Sequence, residues 1–228
     1  MADKVDGNRD EARIKTLQAA KRLFAQQGFY NTDRTEIRTT AHVGESTIST
    51  RFKDEELVAK EMILVEILER AWRRINRLIE NLKETRDVRK RLKGVFSIIL
   101  DTFEKDKELR IIFVAQSREV YKLGKRVMEG EVRKVIERLE SIFVEGQSQG
   151  IFKKDLSPKS MQRACFGTIE EFLHSWVLNE TIDYQTEVSR EQLEKTIDSM
   201  VSGFSIKEEI PKSVDTREPV RLARQKVL

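Results

Sequence analysis

The first 157 residues of this chain contain no proline, and the whole of it holds only ten glycines in 228 residues. Those two residues punctuate β folds and long loops. Their scarcity, with apolar residues recurring every three or four positions, restricts the chain to helices. An all-α fold of about nine helices is expected, with no strand. From Arg13, the residues Ile14, Leu17, Ala20, Leu23 and Phe24 keep helical spacing, and Gly28 stops that helix as a C-terminal cap. The polar residues 1–11 before it lack periodicity and are expected to be disordered. Asp33 with Glu36 forms a capping box for a short helix ending near Ala41. A third short helix runs from Glu45 to about Phe52, and Asp54 caps a much longer one carrying Leu57, Ile67, Leu68, Trp72, Ile75 and Ile79.

The remainder continues in the same style. Helices are expected over Val88–Phe103, from Leu109 to about Val120, and from Val127 to the "GQSQG" loop. Ser157 and Pro158 open another that reaches about Asn179. Ser189 with Gln192 caps a last one ending at Gly203, before a polar tail from Pro211. The division follows: a head over 1–57, a body over 58–210 and a tail over 211–228.

Charge narrows the partners only a little. Charged residues make up 36% of the chain, but 43 basic side chains stand against 39 acidic ones, for a net charge of +4. That balance permits nucleic acid without demanding it. The single cysteine, Cys165, excludes an internal disulfide and a cysteine-rich metal site. No apolar run reaches the ~18 residues that span a membrane, and "MADKVDGNRDEAR" is too polar and acidic for a secretory signal. A cytoplasmic protein with no membrane partner is expected.

Catalytic chemistry is missing. The two histidines, His42 and His174, lie far apart without metal-like spacing. Cys165 sits among apolar residues as a small hydrophobe. Glu170 and Glu171 are adjacent, so on a helix they point in different directions. There is no glycine-rich phosphate loop. No enzyme activity, no cofactor and no metal is expected.

The second and third short helices, joined through Gly44, make a helix-turn-helix pattern, in which the second helix enters the DNA major groove. That helix would present Glu45, Ser46, Thr47, Ser49, Thr50 and Arg51, with Ile48 and Phe52 turned inward. Small hydroxyl residues suit close approach to phosphates and base edges. Spacing alone allows equally well a solvated helix in an ordinary bundle. The ordered run "LQAAKRLFAQQGFYNT…EIRTTAHV…STISTRFKDEEL" decides between them, because it resembles the head of the TetR family of transcriptional regulators. The resemblance implies a homodimer whose heads occupy successive major grooves of a palindromic double-stranded operator. It also implies a body that binds a small-molecule effector and thereby spreads the heads.

Departures from that family pattern matter as much as matches. Ser49 stands where the family usually has Tyr, and Glu55 where it has Lys, and both usual residues contact operator phosphates. Gly is usual at His42, Ser at Gly44, Ala at Arg38 and a branched apolar residue at Arg34. Residues 1–57 carry ten basic and ten acidic side chains, so the head is neutral. Neutralising phosphates supplies much of DNA affinity. Weak operator binding is therefore expected, resting on Arg34, Arg38, Arg51 and Lys53. A rival reading is a helical dimeric sensor or carrier that has lost operator binding.

In the body, "SPKSMQRACFGTIEEFLHSWVLN" has two apolar faces: Met161, Cys165, Ile169, Phe172 and Trp176 on one, Phe166, Leu173 and Val177 on the other. One stripe suffices for a surface helix, so the second face calls for a second chain or for a fully buried central helix in a monomer. Leu193, Ile197, Met200, Val201 and Phe204 add a stripe on the last helix. In the TetR family the last two long helices pair between subunits, which implies a dimer interface at Ile169, Phe172, Ile197 and Val201. The stretch "GIFKKDLSPKSMQRACFGTIEEFLHSWVLN" further resembles TetR-type regulators of fatty-acid degradation, which release DNA on binding long-chain acyl-coenzyme A (acyl-CoA). That resemblance implies such an effector, with Trp72, Phe96, Ile99, Leu100, Phe103, Phe113, Phe166 and Trp176 around its acyl chain and Arg73 and Arg77 at its phosphates. Without the resemblance these are core residues and a solvated charged face.

Overall fold

A computed structural model describes residues 2–44, 56–119, 128–182 and 189–206. Among the described residues the regular structure is helical apart from one isolated β-bridge, Phe152 with Ser205. Eight α-helices appear among them: α1 (Ala2–Gln27), α2 (Arg34–Ala41), α3 (Glu56–Glu80), α4 (Val88–Lys105), α5 (Lys107–Glu119), α6 (Arg133–Ser148), α7 (Pro158–Ile182) and α8 (Arg190–Phe204). A 3₁₀ turn, Asn81–Glu84, follows α3, and a π-helical turn, Met128–Val132, precedes α6. The expected third short helix and its Asp54 neighbour lie outside the described residues.

The caps that set these boundaries are local chemistry. Asp33 accepts a hydrogen bond from the Glu36 backbone N–H at 2.6 Å, and Ser189 accepts one from that of Gln192 at 3.2 Å. Ser157 accepts from the Ser160 N–H at 3.0 Å, one residue before Pro158 opens α7. Gly28 ends α1 with φ +86°, a left-handed conformation that costs glycine nothing. Asp87 caps α4 through the N–H groups of Arg89 and Lys90.

Two boundaries differ from the sequence pattern. α1 begins at Ala2, ahead of Arg13, where its apolar spacing starts. Extending a helix already nucleated around Leu17 costs far less than starting one, no proline interrupts it, and Glu11 pairs with Lys15 one turn on, at 2.7 Å. The helix expected from Val127 breaks instead at Gly130 (φ −94°, ψ −122°), so α6 starts only at Arg133.

The core is one continuous apolar cluster from Leu17 to Val201. α1 packs on α2, α3 and α5, and α6 packs on α4. α7 runs through the middle of the body, touching α4, α5, α6 and α8. That placement covers most of both apolar faces of α7 within its own subunit: Met161, Cys165, Phe166, Ile169 and Leu173 are buried, and Phe172, Trp176 and Val177 are half-buried. Ile169, Ile197 and Val201 are 1%, 4% and 2% exposed in the isolated chain, so they face its interior and are not free to meet a partner. Phe172 alone of the four retains partial exposure.

The end of the body is fastened by backbone pairing. The Lys153 N–H donates to Phe204 O and that of Ile206 to Ile151 O, both at 2.9 Å. Phe152 is seated against Gly146, where any Cβ would stand 2.2 Å from its ring. Glycine there lets the 151–153 segment lie flat on α6.

Candidate ligand core and DNA-reading head

Four of the residues expected around a ligand come from four helices and meet at Trp72. This side chain, on α3, is 1% exposed. Its ring centroid lies 5.7 Å from Phe103 of α4, 5.5 Å from Phe113 of α5 and 6.3 Å from Phe166 of α7, and Phe103 and Phe113 are 4.9 Å apart. These are contact distances for tilted and edge-on rings. Phe96, Ile99 and Leu100 are buried on α4 in the same apolar cluster. The Trp72 Nε1–H is buried and has no acceptor among the described residues. Buried donors are nearly always paired, so an orphan among aromatic rings marks a place where a polar atom is wanted.

Trp176 stands apart from that group. Its ring lies edge-on to Phe172 at 5.5 Å and beneath the Arg110 guanidinium at 5.2 Å. Arg110, 4% exposed, is a residue the sequence reading missed. It donates to the Phe103 carbonyl at 2.7 Å and pairs with Glu180 of α7, which lies 3.2 Å from Lys107. Burial pushes the Glu180 carboxyl up, but the hydrogen bond and charge of Arg110, with Lys107 beside it, outweigh that and hold it below the usual carboxylate range. The signal for Arg110 was a lone charge inside the apolar run Leu109–Val114, a position that leaves it nowhere to go but inward.

Arg73 and Arg77 do not join the aromatic cluster. Both are exposed on α3, with Arg73 3.9 Å from Glu69 and from Glu131. Between them Asn76 is buried, donating to the Glu131 carbonyl at 2.8 Å and receiving Arg138 on its own carbonyl at 2.7 Å. Glu131 is held below the usual carboxylate range, chiefly by its hydrogen bond from Lys134. Burial pushes the Cys165 thiol up to about 12, which makes it inert.

In the head, Arg34 and Arg38 lie half-buried on α2. The other residues expected at DNA, Glu45, Ser46, Thr47, Ser49, Thr50, Arg51 and Lys53, lie outside the described residues. His42 closes α2 at φ +53°, a left-handed conformation unusual for a residue with a Cβ. Lys60, near the start of α3, is a second missed residue. It is 6% exposed, donates to the carbonyls of Thr32 (2.6 Å) and Phe29 (3.3 Å), and lies 5.1 Å over the Phe29 ring. It thus clamps the loop between α1 and α2 onto α3. Arg13–Glu66 and Lys21–Asp106 tie α1 to α3 and to the α4–α5 joint.

The family model for the YsiA-like protein C-terminal region of TetR-type proteins matches residues 68–202, more than half of the chain. The chain belongs to the TetR family of transcriptional regulators. A relative, the fatty acid metabolism regulator protein of Bacillus subtilis (strain 168), is 26% identical over 168 residues, covering 73% of this chain and 84% of the relative. The chain is also similar to the solved structure of the transcriptional regulator FadR from Bacillus subtilis in complex with stearoyl-CoA, with a TM-score of 0.69 and 25% identity over 83% of this chain and 95% of that one. Fatty acid degradation regulator FadR from Bacillus halodurans shares the fold, with a TM-score of 0.69 and 20% identity over 84% of this chain and 93% of that one. These TetR relatives are regulators, and the chain is accordingly not an enzyme. Among the described residues no group of His, Cys, Asp and Glu could hold a metal ion, and no helix is long and apolar enough to cross a membrane.

Proposed function

We propose that this chain is a homodimeric, DNA-binding repressor of fatty-acid metabolism genes that releases its operator on binding long-chain acyl-CoA. The observation that carries this is the Trp72 cluster: four aromatic rings from α3, α4, α5 and α7, apolar enough for an alkyl chain, around one buried and unpaired N–H. Similarity to the protein bound to stearoyl-CoA supports the choice of ligand. The rings touch one another, so an acyl chain enters only by parting them, which moves the helices that carry them. Trp72 Nε1 offers a donor to the thioester carbonyl. Arg73 and Arg77, exposed on α3, are available to the coenzyme A phosphates at the protein surface. The subunits pair through the outer faces of α7 and α8, the inner faces being buried in their own chain.

The head, neutral overall and with Ser49 and Glu55 in place of phosphate-binding residues, binds its operator weakly and with a shallow salt dependence. The same neutrality favours the rival, a dimeric sensor or carrier without an operator. A gel-shift with DNA from upstream of the chain's own gene, run with and without stearoyl-CoA, separates the two. A shifted band that stearoyl-CoA abolishes is expected. No band at low salt, with stearoyl-CoA still raising the melting temperature, gives the rival. No response to acyl-CoA of any length removes the effector.

A further inference from the structure

Outside the aromatic core, the first helix of the head and three helices of the body leave an open cleft of about 600 Å³. That volume is in the range of small-molecule sites, ~300–1,000 Å³. Its floor is apolar, built from Leu17 of α1, Ile67 and Ala71 of α3, Ile98 of α4 and Leu109 of α5. Two large apolar side chains at its edge stand half in water, Ile14 at 45% exposure and Leu78 at 39%. Single exposed apolar residues are ordinary, but a pair bordering an apolar concavity forms a continuous dry surface with it.

Of the cations around this surface, one is left without a carboxylate among the described residues. Four cations line the cleft, Lys21, Arg70, Arg74 and Lys105, against two carboxylates, Asp101 and Asp106. Asp106 already takes Lys21 at 2.7 Å, with Glu108 3.6 Å from the same ammonium, and caps the Leu109 N–H at 3.0 Å. Asp101 is paired with Arg190 and lies 3.8 Å from Lys105. Arg70 is 3.1 Å from Glu66. Arg74 is exposed and has no ion-pair partner among the described residues. An apolar floor under a rim with one unpaired cation is the complement of an alkyl chain ending in an anion.

We infer that this cleft is a binding site for a small amphiphilic anion, an alkyl carboxylate in the simplest case, distinct from the Trp72 core. The alkyl part covers Ile14, Leu17 and Ile98, and the anion sits at the rim with Arg74. The site spans the joint, since α1 belongs to the head and α3, α4 and α5 to the body. An occupant therefore bears on how α1 sits. Its anion also competes with Asp106 for Lys21, which is the ion pair that fastens α1 to the α4–α5 joint. The inference stands on the cleft's own residues and does not depend on acyl-CoA binding in the core.

The test uses decanoate below its micelle-forming concentration, added to the full chain with its isoleucine methyl groups labelled for NMR. The methyls of Ile14, Ile67 and Ile98 should shift and saturate, while those of Ile99 and Ile169 in the core stay in place. Arg74→Glu should weaken the decanoate affinity about five-fold, the size expected when one rim charge is reversed. Lys159→Glu, which makes the same change in net charge on α7, should leave it unaltered. Decanol should bind more weakly than decanoate and be insensitive to Arg74→Glu. Unmoved Ile14 and Ile98 methyls overturn the inference. So do shifts that appear at Ile99 and Ile169 instead, or equal binding of decanoate by wild type and Arg74→Glu. The unshifted core methyls of each variant report that it has folded.

Discussion

Around Trp72 the body is held ring against ring, whereas the named bonds that fasten the head to it are ionic or polar. In the body, Phe103, Phe113 and Phe166 pack on one indole with no hydrogen bond among them. At the joint, Arg13–Glu66, Lys21–Asp106 and the Lys60 ammonium on two carbonyls do the fastening, over aliphatic contacts from α1. Apolar burial is lost outright when a side chain is removed. A polar contact is exchanged for water at small net cost. The proposed function, a ligand in one part and DNA on the other, would use that difference by turning the head without loosening the body.

The widest gap between the two regions should appear on deleting one ring. Phe103→Ala removes a fully buried partner of Trp72 and should cost about 3–5 kcal/mol by denaturant titration. A loss under about 1 kcal/mol would mean that the rings are not packed as described. Lys60→Met should cost less, about 1–3 kcal/mol, because two carbonyls lose a donor while the alkyl stem keeps its packing. Its damage should be local: operator affinity falls, while the melting shift caused by stearoyl-CoA is unchanged. Equal damage to both would erase the distinction between joint and core.

Glu180 sharpens the comparison by pH. Its carboxyl is held below the usual range in the folded chain. Its contribution is therefore complete above the unfolded value of about 4.3 and is lost as pH falls through the folded value. Glu180→Gln should cost about 1 kcal/mol near neutrality, since its side chain is one-third exposed, and the difference from wild type should close as the medium becomes acid. A difference independent of pH would assign the effect to shape and not to charge. The smallest change is expected at the joint's surface. Lys21→Met should alter stability by only about 0.2–1 kcal/mol, because this pair is partly open to water, yet it should change the dependence of operator affinity on stearoyl-CoA. An unchanged ligand dependence would remove Lys21 from the path between body and head.

How far the sequence discloses all this depends on how local each feature is. Asp33, Ser157 and Ser189 were legible as caps, and Gly28 as a stop, because each acts on backbone within three residues of itself. The aromatic positions were legible as interior, since a buried stripe shows in spacing. What spacing does not say is which surface covers a stripe. Ile169, Ile197 and Val201 looked like contacts with a second chain and are covered by their own. Lys60 and Arg110 were passed over because charge normally signals exposure. Their partners include the backbone carbonyls of Phe29, Thr32 and Phe103, which no side-chain pattern reveals. The cleft below Ile14 was equally hidden, as it takes shape only where four helices meet.

The contrast between a body packed on rings and a head joined to it by aliphatic packing and a few polar contacts is most directly tested by native-state hydrogen exchange. Amides of α1 and α2 should exchange through openings of markedly lower free energy than those of α4 and α7, and stearoyl-CoA should protect α4, α5 and α7 further while leaving the head's openings intact or more frequent. Uniform protection across α1, α4 and α7, with stearoyl-CoA slowing all of them alike, would contradict it.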